Sequence, residues 1–158
     1  CSQSRGLGDV YKRQQKDYII YLFGGGNDNL KQLNIWENVY ENVIDLSNKL
    51  NLEQQINIIN YIDLMISMDS ANGHLAANYN IPVLTLWGMT HPFCGFTPFD
   101  QSQENSITID RNHFPYIPTS IFGNKIPKGY ENAFRTIDPK IVIEKALDIL
   151  STTTLRHS

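Results

Sequence analysis

Residues 63–87, DLMISMDSANGHLAANYNIPVLTLW, decide the fold. The stretch opens with a short apolar run at 63–68 and closes with the β-branched and aromatic run Val83 to Trp87. Each is the right length for a strand buried on both faces. Between them, residues 73–79 fit a short helix. It must stop before Ile81-Pro82, because the residue preceding a proline is driven out of the helical region. Strand, helix and strand with short links form a βαβ unit, whose strands are parallel.

The same alternation extends in the N-terminal direction. Residues 17–23, DYIIYLF, read as a strand ended by Gly24, Gly25 and Gly26. Leu30, Leu33, Trp36, Val39 and Tyr40 recur at helical spacing, and Trp36 on that apolar face is expected in the core. Residues 42–46, NVIDL, form the next strand candidate. Asn51, with Gln54 three residues later, forms a capping box ahead of Leu52, Ile56, Ile59 and Ile62. The predicted architecture is therefore α/β: a Rossmann-like open parallel sheet with helices on both faces.

Beyond Gly88 the pattern loosens into a long proline- and aromatic-rich segment, within which residues 106–110 can add one strand. Regularity returns at Asp138-Pro139, an N-cap with proline at the first helical position. Ile143, Leu147 and Leu150 then share one helical face, and residues 151–158 read as a polar tail. Residues 1–14, CSQSRGLGDVYKRQ, show no periodicity and look like translated sequencing-adapter sequence. They are expected to be disordered and are excluded from the fold, which leaves one domain over residues 15–150.

Composition narrows the function classes. A net charge of −3 with 18% charged residues does not favour a polybasic nucleic-acid surface. No run approaches the roughly 20 apolar residues of a membrane span. Two cysteines are too few for a disulfide framework, and a reducing compartment follows as the default.

In an open parallel sheet, ligands bind beyond the carboxyl ends of the strands. Three polar clusters fall there: Gly24 to Asp28, Asp69 to His74, and Gly88 to Pro92. The second runs straight into a helix, whose first N–H groups lack internal partners and can seat a phosphate, with Ser70 and Asn72 as added donors. The alternative is structural: Asp69, Ser70 or Asn72 caps the helix while His74 packs on the sheet. The triple glycine lacks the spacing of a dinucleotide fingerprint or a P-loop and reads as a tight turn. His74, His91, Cys94 and His113 do not follow zinc-ligand spacing, so no metal is expected. Ser70 and His74 lack the elbow geometry of a nucleophile pair. Trp87 can serve either as core or as pocket wall.

The segments LFGGG (22–26), NKLNL (48–52), MISMDSANGHLAA (65–77), IPVLTLWGMTHPFCGF (81–96) and SIFGNK (120–125) resemble the C-terminal half of glycosyltransferase family 9. These are the ADP-heptose:lipopolysaccharide heptosyltransferases and their relatives, and the similarity runs from about Tyr18 to Leu150. The resemblance implies a GT-B-type enzyme of two Rossmann-like domains, of which this chain is the N-terminally truncated, nucleotide-sugar-binding one. By position, Asp69 would contact the donor sugar, while Ser70, Ala71 and His74 would hold the diphosphate, with Asn72 beside them. Thr90 would line the pocket, and Gly25 and Asn29 would belong to the loop near the ribose. Relatives often carry Glu where this chain has Asn29, so a charge-assisted bond is lost there. A cysteine cluster that several relatives carry around the FGNK element is absent from residues 112–134.

The resemblance further implies an ADP-linked donor, no metal or other cofactor, and a glycolipid or cell-surface glycan acceptor such as lipopolysaccharide. The acceptor site and the general base would lie in an N-terminal domain, so no catalytic residue is assigned in this chain and the piece alone would not turn over. Such an enzyme would be cytoplasmic, with at most peripheral contact at the inner face of the membrane. Two alternatives stand beside this reading: another nucleotide-sugar enzyme of the same architecture, such as a 2-epimerase, and a catalytically silent binding domain.

Overall fold

The structure, a computed structural model, describes residues 18–24 and 30–154. The chain divides into two compact units, residues 1–57 and 58–158.

In the first unit, β1 (Ile20–Leu22) and β2 (Val43–Asp45) pair in parallel, Ile20 opposite Val43 and Leu22 opposite Asp45. Helix α1 (Leu30–Val39) connects them. Its Glu37 accepts the Asp45 N–H at 3.1 Å and the Lys49 ammonium at 3.1 Å, tying helix to strand end. Asp45 is 2% exposed. Burial raises its pKa, but bonds from the Ser47 hydroxyl and N–H outweigh that and hold it below the ordinary carboxylate value. Trp36 departs from expectation: it keeps 38% of its surface exposed rather than packing in a core, and Val39 on the same helix keeps 61%. Helix α2 (Leu52–Ile59) starts at the capping box read from the sequence. Asn51 Oδ1 accepts the Gln54 N–H at 2.9 Å, and Gln54 Oε1 accepts the Asn51 N–H at 3.0 Å.

The second unit holds a parallel sheet of order β3-β4-β5, with β3 at Met65–Met68, β4 at Val83–Trp87 and β5 at Ser106–Thr108. Central β4 is buried at Val83, Leu84, Thr85 and Trp87, as a strand covered on both faces must be. Helix α3 (Ala71–Asn78) lies against one face, and its buried residues are small: Gly73, Ala76 and Ala77. A Cβ built on Gly73 would sit 2.5 Å from Ser67 Oγ and 3.4 Å from Val83 Cγ1. With the Ser67 hydroxyl where it is, glycine lets the helix approach this closely. Helix α4 (Pro139–Thr154) covers the other face, because Ala146 and Ile149 pack with Leu84, whose side chain points away from that of its neighbour Val83.

Three details of this unit differ from the sequence reading. Helix α3 starts at Ala71 rather than Gly73, because Ser70 already has the extended backbone of an N-cap. The buried positions of α4 are Ala146 and Ile149, with half-buried Val142 packed against their cluster, while Ile143, Leu147 and Leu150 are all half-buried. Helix α4 continues to Thr154, into the segment read as a polar tail. The hydroxyls of Ser151, Thr152 and Thr153 turn back on the helix and donate to the carbonyls of Asp148, Ile149 and Ile149.

The proline-rich segment has a small core of its own, in which Ile109, Ile117, Tyr130 and Ala133 pack with Met89, Phe114, Phe134 and Ile137. Trp87 is fully buried, its indole N–H donating to Ser106 Oγ at 3.2 Å, which settles it as core. Residues 1–14 lie outside the described residues.

Candidate functional site

Strand register brings two of the three predicted clusters to one edge. Met68 pairs with Leu86, so Asp69 and Ser70 leave β3 at the level where Gly88 follows β4. The two strand ends are close: a Cβ on Gly88 would lie 3.7 Å from Met68 Cε. Gly25 of the remaining cluster, and Asn29 just after it, lie outside the described residues.

At the start of α3, Ser70 occupies the N-cap in backbone terms (φ −148°, ψ 162°), yet its side chain makes no capping bond. The simple capping explanation for this hydroxyl fails, and the first-turn N–H groups are left without that partner. Ser70, Ala71 and His74 are exposed, while Asp69 and Asn72 are half-buried. His74 therefore does not pack on the sheet, and one helical turn places it on the Ser70 side of the helix. An extended N-cap, first-turn amides with no side-chain cap, a hydroxyl and an imidazole form a surface on which an anion can sit.

The loop after β4 is the second wall. Thr90 is 7% exposed and is clamped by the distant SIFGNK turn. Gly123 there adopts φ +62°, and a Cβ on it would come within 2.9 Å of Thr90 Cγ2. Thr119 N–H donates to the Met89 carbonyl at 3.0 Å. Next in the chain, His91 caps a short 3-10 turn, Pro92–Cys94, with Nδ1 accepting the Phe93 N–H at 3.2 Å. Burial, then the charge of Arg111, hold its pKa below the ordinary value.

A third loop at this edge follows β5, because Trp87 pairs with Thr108 and the chain then delivers Asp110 and Arg111. Asp110 is held below the usual carboxylate range by the Asn112 N–H and then by His113, 2.7 Å away. Arg111 donates from Nε to the Ile117 carbonyl at 2.9 Å, and its guanidinium carbon lies 5.7 Å from the Phe93 ring centroid. Nothing in the sequence pattern singles out Arg111 or Gly123, since both fall where periodicity is lost; the proximity of SIFGNK to the Gly88 loop was visible only as two segments of one resemblance.

Among the described residues, no group of three or more His, Cys, Asp or Glu side chains could hold a metal ion. A shallow cavity of about 630 Å³ lies at the opposite, amino end of the strands, lined among others by Asn80, Pro82, Gln101 and Glu104. The ligand-binding edge of a parallel sheet is the carboxyl one, and Asp69, Ser70 and Thr90 all lie there. Among the described residues, no helix is long and apolar enough to cross a membrane.

Parallel strands covered by helices on both faces, with polar loops gathered at the carboxyl edge, define a Rossmann-like α/β protein. The chain belongs to glycosyltransferase family 9 (heptosyltransferase), whose profile matches residues 9–120. It is 26% identical over 139 residues to lipooligosaccharide heptosyltransferase 2 of Haemophilus influenzae, a match covering 85% of this chain and 38% of that protein. The chain thus spans well under half of that relative's length. Its fold matches the crystal structure of a family 9 glycosyl transferase from Veillonella parvula (TM-score 0.65, 20% identity). It also matches E. coli ADP-heptose lps heptosyltransferase II (TM-score 0.63, 19% identity), and each match covers 95% of this chain and 41% of the solved one.

Proposed function

We propose that this chain is the donor-binding part of a glycosyltransferase that moves a sugar, heptose or similar, from a nucleoside-diphosphate donor to a lipopolysaccharide or other cell-surface glycan. The observation that carries the reading is the start of α3, where Ser70 takes the N-cap position without using its hydroxyl as a cap. The donor's diphosphate seats on the N–H groups that follow, assisted by Ser70 and His74. Asp69, half-buried beside them, bonds hydroxyls of the donor sugar, and Thr90 closes the wall.

The chemistry follows from that placement. As the bond between the sugar and the diphosphate breaks, negative charge grows on the leaving phosphate. Preorganised N–H donors at a helix start stabilise that charge more than they stabilise the ground state. These donors require no metal, and no residue of this chain is assigned as the base that deprotonates the acceptor hydroxyl. An adenosine diphosphate donor is favoured by the E. coli structural relative, an ADP-heptose lps heptosyltransferase.

The test is titration of the intact gene product with an ADP-sugar, compared with Asp69→Ala and His74→Ala. Loss of a charged or imidazole contact to a diphosphate-sugar weakens binding by about tenfold or more. Unchanged affinity in both variants overturns the assignment.

A further inference from the structure

We infer that His91 is a positioning residue: as a hydrogen-bond acceptor it fixes the loop that presents Thr90 to the ligand. The inference rests on the donor-site reading and extends it to a residue that reading leaves unassigned.

The loop after β4 is held at two points. On one side the Thr119 N–H bonds the Met89 carbonyl, and Gly123 abuts the Thr90 methyl. On the other, His91 has extended backbone (φ −152°, ψ 153°) and accepts the Phe93 N–H through Nδ1 at 3.2 Å. Pro92 brings no N–H of its own, so the Phe93 N–H is the first donor of the turn that needs a partner. The turn is closed by Cys94 N–H to the His91 carbonyl at 2.8 Å.

Caps of this kind are normally Ser, Thr, Asp or Asn, whose oxygens always carry a lone pair. Imidazole can do the same only with Nδ1 unprotonated, which places its proton on Nε2. The surroundings favour the neutral ring, and the Phe93 N–H selects the tautomer whose Nδ1 is free to accept. The residue is 8% exposed, its ring lies 4.1 Å from the Phe93 ring centroid to centroid, and the Arg111 guanidinium carbon lies 5.7 Å from that same Phe93 ring. Burial and that guanidinium disfavour a second positive charge, so the acceptor lone pair is kept. Without the acceptor the turn populates other backbone conformations, and a ligand needing the Thr90 wall in place loses affinity by the fraction of competent loop.

The test is calorimetric titration of the intact gene product with ADP at neutral pH, using the natural protein, H91F and H91N. Phe keeps an aromatic ring against Phe93 but has no acceptor, whereas Asn supplies the usual capping oxygen. The expected result is ADP binding about fivefold weaker in H91F, the size of one lost cap, and H91N within about twofold of the natural protein. H91F binding ADP as the natural protein does, or H91N as weak as H91F, overturns the inference while leaving the donor site intact. If H91F does not fold, H91N decides alone: retained affinity supports the acceptor role, and a loss beyond about fivefold overturns it. A natural protein that does not bind ADP removes the donor-site reading and this inference together.

Discussion

Replacing Gly73 tests how α3 is seated on the sheet, and with it the placement of Asp69 and Ser70. An added Cβ would lie 2.5 Å from Ser67 Oγ, 3.4 Å from Val83 Cγ1 and 3.6 Å from Ser67 Cβ. The first distance is impossible and the other two are tight or ordinary. In Gly73→Ala the Ser67 hydroxyl must therefore swing away, giving up its bond to the Met68 carbonyl at 2.7 Å, or the helix must lift. Overpacking of this kind costs about 1–3 kcal/mol, against about 0.5–1 kcal/mol gained by replacing a helical glycine with alanine. The net expectation is destabilisation by about 0.5–2 kcal/mol. In a Ser67→Ala background the 2.5 Å contact does not exist, and the same substitution should become neutral or stabilising by up to about 1 kcal/mol. Equilibrium urea unfolding of the four proteins, followed by tryptophan fluorescence and far-ultraviolet circular dichroism, yields the coupling energy, expected at about 1–2 kcal/mol in favour of the double variant. Additivity of the two substitutions would refute the close approach of α3 to β3.

Gly123→Ala forces a left-handed backbone at φ +62° on a residue with a Cβ and drives that Cβ into Thr90 Cγ2. It should cost about 1–3 kcal/mol in the same unfolding assay and weaken ADP binding, and an unchanged urea midpoint would contradict it. His91 supplies a pH signature. Its folded pKa lies below the ordinary 6.5, so the unfolded chain takes up a proton first as pH falls. The stability that neutral His91 contributes is complete above about 6.5 and is lost progressively from there down to the folded value. The urea midpoint of the natural protein should fall across that window more steeply than that of H91N, and parallel slopes would contradict the assignment. The Asp110 contribution is lost only below its ordinary 3.8, as pH falls toward its lowered folded value.

Much of the fold was legible because local chemistry and global pattern agree. Asn51 and Gln54 announced α2 by a reciprocal cap that needs no tertiary context. Residues Val83–Trp87 announced a doubly covered strand because every second residue could not face water. The family assignment likewise follows from segments quoted from the chain, and the profile match supports it. What escaped depended on contacts distant in sequence. Gly123 matters through Thr90, 33 positions earlier, and an isolated turn glycine carries no sign of that. Arg111 reaches this edge only because β5 pairs beside β4. On α4 the residues that pack with Leu84 are Ala146 and Ile149, beside Val142, and periodicity alone does not rank that face above the overlapping one of Ile143, Leu147 and Leu150. Trp36 shows the reverse failure: helical spacing predicted burial, and the ring keeps much of its surface.

The central claim is that the carboxyl edge of the β3-β4-β5 sheet seats the donor diphosphate. Its most direct measurement is a crystal structure of the intact gene product with bound ADP. Phosphate oxygens are expected within hydrogen-bond distance of the N–H groups that follow Ser70, with Ser70 Oγ and His74 in contact and Thr90 alongside. ADP found at the amino end of the strands, near Asn80, Gln101 and Glu104, with the start of α3 unoccupied, would contradict it.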